Sequence, residues 1–182
     1  NMKLASGAAP IGAMLAKGIA VGLGTDGEKE NNNLDMFEEL KTASLLAKHS
    51  NADAAALDAW SICRMATIDG ARALGMQETI GSLEVGKRAD MIALNTHTPR
   101  MTPLITSGQY MNLQHNLVHA AQGGDVAMTM VDGRVLVRHG ELLCDDLSET
   151  IRAANRAIGP LLARRDAWIA SAGTAVNELE KS

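Results

Sequence analysis

Asp26 is the residue of this sequence best placed to do chemistry. It lies in Gly24-Thr25-Asp26-Gly27, directly after the apolar run Ile19-Ala20-Val21-Gly22-Leu23. A run this short and unbroken reads as a buried strand rather than a helix. Ligands gather at the carboxy-terminal ends of strands in α/β sheets and barrels. Gly24 and Gly27 let the backbone turn sharply around the carboxylate. A carboxylate there can bind a divalent cation through oxygen. It can also accept a proton from a water whose pKa a cation has lowered. The same residue type in a Gly-rich turn can also serve simply as a turn stabiliser.

The histidines do not complete a site. They are His49, His97, His115, His119 and His139. Only His115 and His119 share a helical spacing that suits a metal pair. Asn116 stands where the zinc-protease motif needs Glu, so surface or packing roles are expected. Cys63 and Cys144 lie far apart. They make no zinc knuckle or disulfide framework and are expected as small core residues in a reducing, cytoplasmic setting. Neither a Gly-rich phosphate loop nor a Ser elbow is present.

The elements that must position Asp26 are legible from punctuation. Pro10 and Gly18 bracket a first helix with Ile11, Met14 and Leu15 on one face. After the expected strand at residues 19–23, Glu28 to Asn33 reads as a polar loop whose last Asn residues cap the next helix. That helix carries Met36, Leu40, Ala43 and Ala47 on one side. Two shorter helices are expected, one through Leu57, Trp60 and Met65, the other from a Thr67 cap to about Gly75. Beyond Ile80 the pattern turns to strands. Residues 89–94 form one, and residues 128–138 form a hairpin around Asp132-Gly133, a pair that favours a type I′ turn. A helix is expected at 111–121, and helices again from Leu147, with Pro160 a break or kink.

Composition narrows the function. Of 182 residues, 46% are hydrophobic, enough for a sizeable core, but only 2% are aromatic. Base-stacking platforms are therefore not expected. The formal net charge of -4, with no basic run, excludes a nucleic-acid or anionic-membrane surface from the expected partners. No stretch of about 18 apolar residues offers a membrane span, and no signal peptide is expected. The start at Asn1-Met2-Lys3 suggests a chain cut from something longer.

Four stretches together resemble a known family. They are Asn1-Met2-Lys3-Leu4-Ala5-Ser6-Gly7; Gly22-Leu23-Gly24-Thr25-Asp26-Gly27 with Asn31-Asn32-Asn33-Leu34-Asp35-Met36; Met65-Ala66-Thr67 through Gly70-Ala71-Arg72-Ala73-Leu74-Gly75; and Ile80-Gly81-Ser82-Leu83-Glu84-Val85-Gly86-Lys87-Arg88-Ala89-Asp90. In this order the chain resembles the carboxy-terminal portion of the amidohydrolase superfamily. The similar branch is that of methylthioadenosine/adenosylhomocysteine deaminases and triazine chlorohydrolases. The resemblance implies an α/β fold: the last strands and helices of a metal-dependent (β/α)8 barrel, part of a small β-sandwich, and carboxy-terminal helices. It implies a barrel end at 1–77, a sandwich part at 78–143 with a returning helix at about 111–121, and terminal helices at 144–182.

It further implies a hydrolase acting on C–N or C–halogen bonds of nitrogen heterocycles, either an aminopurine (adenosine-type) deaminase or a triazine hydrolase. Asp26 matches the family's Asp after the eighth strand, with metal, catalytic and substrate-binding roles. One divalent metal is implied, Zn with Fe as the alternative, most of its ligands lying outside this chain. The family's His-x-His pair does not occur here. The chain alone is therefore expected to be inactive, with open edges at residues 19–23 that invite aggregation. The expected partner is a small heterocyclic substrate, with the full-length protein a homo-oligomer. The alternative is a non-catalytic or complementing subunit that retains half of the fold.

Overall fold

The computed structural model describes residues 3–179, with side chains to residue 171. The chain divides into two compact units, Asn1–Glu141 and Leu142–Ser182. Five helices come first: α1 (Ile11–Ala16), α2 (Glu28–Asn31), α3 (Met36–Asn51), α4 (Ala59–Met65) and α5 (Ile68–Ala73). After them come β1 (Met91–Leu94), α6 (Leu113–His119), β2 (Val126–Val131), β3 (Arg134–Arg138), β4 (Glu141–Leu142) and α7 (Leu147–Leu179). The class is α/β, as expected. The sheet runs β1-β2-β3-β4, with β1/β2 and β2/β3 antiparallel.

The core of the first unit lies where α3, α4 and α6 meet. Phe37, Leu40, Ala59, Ile62, Met101, Val118 and Ala121 form one buried cluster. Ile62 and Val118 have no exposed surface. Cutting such a side chain back to Ala typically costs about 2–5 kcal/mol, from lost transfer energy plus the cavity left behind. Leu94 of β1 and Val126 of β2 pack on the same cluster, so the sheet is fastened to the helices.

Helices α3 and α4 each begin on an Asp. Asp58 caps α4, accepting from the Trp60 and Ser61 amides at 3.0 and 3.1 Å. Asp35 caps α3 by accepting from the Phe37 amide at 2.9 Å. Its other oxygen accepts from the Gly123 amide at 2.8 Å, tying the start of α3 to the turn before β2. Gly123 suits that approach, because an added Cβ would lie 3.0 Å from Asp35 Oδ2. Asp125, two residues on, is buried and pairs with Arg100 at 3.1 Å.

Several expectations need correction. Among the described residues, 19–23 pair with no strand. The segment has no sheet neighbour to complete its ladder, and Ile19 is 45% exposed. The polar stretch after Gly27 is not all loop, since α2 occupies Glu28–Asn31. Asp35, not an Asn, caps α3; Asn33 instead accepts from the Asp35 amide at 3.2 Å. Thr67 precedes α5 without capping it. Its hydroxyl donates back to the Cys63 carbonyl at 2.8 Å. The helix expected at 111–121 is the shorter α6. Pro160 breaks nothing, for α7 continues through it as a single helix. Cys144 is exposed, in the stretch before α7, whereas Cys63 is half-buried.

The Asp132-Gly133 hairpin forms as expected. Both residues have positive φ (50° and 77°), as a type I′ turn requires, and Val131 faces Arg134.

Gly81 is closely packed, at φ +91° with an added Cβ 2.7 Å from Ala71 Cβ and 3.0 Å from Ile68 Cα. Gly81→Ala should therefore destabilise by about 1–3 kcal/mol, through both overpacking and strain. Gly12→Ala, whose Cβ meets nothing within 4 Å, should be neutral or mildly stabilising. Urea titrations of the dilute chain would show this as separated midpoints, and coincident midpoints would refute it.

Candidate functional site

The approach to Asp26 is held by backbone rather than by a strand ladder. Among the described residues, the segment's outward backbone bonds are Ile19 N–H to Met14 O and Leu23 N–H to Met65 O, both 3.1 Å. Leu23 packs against the core cluster. Gly22 crosses Gly70 of α5 so closely that an added Cβ would lie 3.0 Å from Gly70 Cα. Only a residue without a side chain lets these backbones meet. An open groove of about 790 Å³ runs beside this crossing, lined by Leu23, Met65, Ala71, Leu74, Ile80 and Ile92 among others. Asp26 is not part of its lining.

Asp26 itself is exposed and sits at φ 59°, in the left-handed region. That conformation costs an L-residue roughly 1–2 kcal/mol, and Asp tolerates it by bonding locally to the backbone. Here Asp26 Oδ1 accepts from the Gly27 amide at 2.7 Å. The turn is braced from the next segment. Asn31, the last residue of α2, donates through Nδ2 to the Thr25 carbonyl at 2.8 Å and to Glu39 Oε1 at 2.6 Å. Glu39 belongs to the first turn of α3. Lys3 donates to the Lys29 carbonyl at 2.8 Å and to Asn32 Oδ1, closing the outer side of the loop. The Asn-rich loop is thus ordered by its own side chains. Sequence reasoning saw in it a polar loop whose last Asn residues cap the next helix.

Among the described residues, no group of three or more His, Cys, Asp or Glu side chains could hold a metal ion. One carboxylate on a turn suits a divalent cation as a ligand but cannot hold it alone, since catalytic zinc takes about three protein ligands. Asp26 therefore fits as one member of a larger set. His115 is exposed and His119 half-buried on α6, near Lys41 and Lys48 of α3. Cys63 carries no sign of activation: burial, then the nearby Asp58 carboxylate, pushes its thiol up.

Comparison with known proteins follows from this geometry. The profile of the Amidohydrolase family matches residues 1–136. The chain belongs to that family. It is 47% identical over 167 residues to a 5'-deoxyadenosine deaminase of Methanosarcina acetivorans, covering 92% of this chain and 37% of that protein. It is 44% identical to a 5-methylthioadenosine/S-adenosylhomocysteine deaminase of Desulforudis audaxviator, with coverages of 89% and 36%. The structure superposes on a zinc-bound adenosine deaminase from Xanthomonas campestris with TM-score 0.79 and 37% identity, covering 86% of this chain and 34% of that one. A zinc complex of atrazine chlorohydrolase from Arthrobacter aurescens superposes with TM-score 0.70 and 28% identity, over 82% of this chain and 32% of that one. The chain thus spans little more than a third of the length of the curated relatives it matches. Both branches of the expected resemblance are present among the similar proteins. No described helix is long and apolar enough to cross a membrane.

His119 has a titration consequence. Burial first, then His115, Lys48 and Lys41, hold its imidazole below the ordinary value. The folded pKa lies under the unfolded one, so the unfolded chain takes up the proton first as pH falls. The stabilisation is complete above about 6.5, the ordinary value, and is lost as pH falls through the folded pKa. Lowering pH from about 7.5 to about 5 should destabilise the wild type more than His119→Gln. Parallel losses, read from denaturation midpoints at each pH, would remove His119 from the account.

Proposed function

We propose that this chain is the carboxy-terminal part of a metal-dependent hydrolase that acts on nitrogen heterocycles. The bond cleaved is an exocyclic C–N bond of an aminopurine of the adenosine type, with the C–halogen bond of a triazine as the alternative. Asp26 in its braced, left-handed turn is the observation that carries the reading. The names of the similar proteins, adenosine-type deaminases above all, support the substrate class.

On this reading residues 1–77 are the end of a (β/α)8 barrel, residues 78–143 part of a β-sandwich with a returning helix at about 111–121, and residues 144–182 a terminal helical part. Backbone at residues 20–22 without a strand ladder is what a segment of a larger sheet presents on its own. Leu74 and Leu83, each 72% exposed, are likewise suited to further covering chain.

Zinc, the metal bound in two of the similar structures, supplies Lewis-acid activation of water when present, with iron as the alternative. Asp26 is the described residue that would help hold it, with further ligands from the rest of the parent protein. Oδ1 is engaged by the Gly27 amide, which leaves Oδ2 free for the cation or for a proton. The carboxylate would take the proton of the attacking water and return it to the departing amine. For a halide substrate no such return is needed, because halide leaves as an anion. Substrate contact by Asp26 follows from the same position. The partner is a small heterocyclic molecule, and the full-length protein is expected as a homo-oligomer.

The test is Asp26→Ala in the full-length protein that carries this segment. Turnover of 5'-deoxyadenosine, assayed as ammonia release, should fall by at least about 1000-fold, the scale of a lost activating group. Zinc content per chain should fall with it. Wild-type turnover at full zinc occupancy would sink the role.

A further inference from the structure

We infer that Asn31 and Glu39 act as positioning residues for Asp26. The inference rests on the reading of Asp26 given above and concerns residues that this reading does not use. Asn31 Nδ2 has two hydrogens, and each meets an acceptor: the Thr25 carbonyl at 2.8 Å and Glu39 Oε1 at 2.6 Å. Both partners accept only, so the amide orientation is fixed by chemistry. The Thr25 carbonyl belongs to the peptide that joins Thr25 to Asp26. Gripping it sets the plane from which Asp26 leaves at φ 59°.

The grip is anchored at its far end. Glu39 sits in the first turn of α3, whose start is pinned by Asp35 to the Phe37 and Gly123 amides. Phe37 and Leu40, on either side of Glu39 in sequence, are buried in the core. A rigid helix therefore holds Glu39, Glu39 aims Asn31, and Asn31 fixes the peptide before Asp26. Charge sharpens the arrangement, since a carboxylate acceptor makes the Asn31 bond stronger than a neutral one would. The half-buried setting of Asn31 and Glu39 limits competition from water. Without the clamp, the left-handed turn keeps the Asp26–Gly27 bond and the long bond from the Thr25 hydroxyl to the Asp26 carbonyl, at 3.3 Å, to offset its cost.

Outer partners that orient a metal ligand typically contribute about 10–100-fold to metal affinity or activity. The experiment measures zinc affinity by chelator competition, alongside kcat and KM, in the full-length protein. Asn31→Ala should weaken zinc binding by about 10–100-fold and lower kcat with little change in KM. Glu39→Ala, which leaves Asn31 in place but removes its aim, should move both in the same direction by less. Glu39→Gln keeps an acceptor oxygen and should restore near wild-type zinc affinity. The melting temperature of each metal-free variant should stay near that of the wild type. If Asn31→Ala does not fold, the Glu39→Ala and Glu39→Gln pair decides the question alone. Wild-type zinc affinity and kcat in Asn31→Ala, or in Glu39→Ala, would overturn the positioning role. So would a loss in Glu39→Gln as large as in Glu39→Ala. Should Asp26→Ala itself leave zinc affinity and turnover intact, the reading of the site fails. Loss in Asp26→Ala with no loss in Asn31→Ala removes the clamp only.

Discussion

The contact between Gly22 and Gly70 is the constraint on which the site depends. It brings the segment at residues 19–23 onto α5 with no side chain between the two backbones. Leu23 is thereby delivered to the core, and its amide to the Met65 carbonyl. The chain leaves this crossing in a fixed direction and turns at once through Asp26. A side chain at Gly22 would push the segment off the helix, its Cβ 3.0 Å from Gly70 Cα, and a Cβ on Gly70 would lie 2.9 Å from the Met65 carbonyl oxygen that accepts from the Leu23 amide. The Asp26 turn is therefore positioned by helix packing on one side and by the Asn31 clamp on the other. The two supports come from different stretches of chain, α4–α5 and α2–α3. Neither touches the chemistry directly.

Such a turn is useful only as part of a larger constellation. On the proposed reading, this exposed, backbone-braced carboxylate needs other ligands beside it to hold a cation. The described residues do not provide them. The same incompleteness shows in the backbone: residues 19–23 carry no ladder, and the sheet that does form is built from β1 to β4 far downstream. Edge groups left without partners favour association with further chain. Geometry and length agree here, because the relatives are nearly three times as long as the part matched.

What could be read from the sequence was whatever local chemistry decides. The Asp132-Gly133 turn formed because only such residues accept two successive positive φ values. Helix α1 lies between Pro10 and Gly18, as punctuation implied, with Gly18 at φ 73°. Asp26 stood out through its glycine frame. Where the outcome depends on distant partners, sequence was silent or misleading. The apolar run at 19–23 has strand composition, yet a strand exists only beside another strand. Helix α2 escaped notice because its four residues, Glu-Lys-Glu-Asn, have no apolar period. Thr67 looked like a cap but donates to a carbonyl behind it. Asn31 was hidden among three consecutive asparagines, and nothing local told which one would reach back to Thr25 and forward to Glu39. Pro160 marked a break that α7 does not show; its missing N–H costs one bond in a helix otherwise continuous.

The central claim is that the Asp26 carboxylate binds a catalytic divalent cation within a larger protein. Anomalous X-ray diffraction at the zinc edge, from crystals of the full-length protein, tests it most directly. The account predicts a single strong peak about 2.0–2.2 Å from an Asp26 carboxylate oxygen, with histidines from elsewhere in the protein completing the set. A fully occupied metal peak whose ligands exclude Asp26 would contradict it.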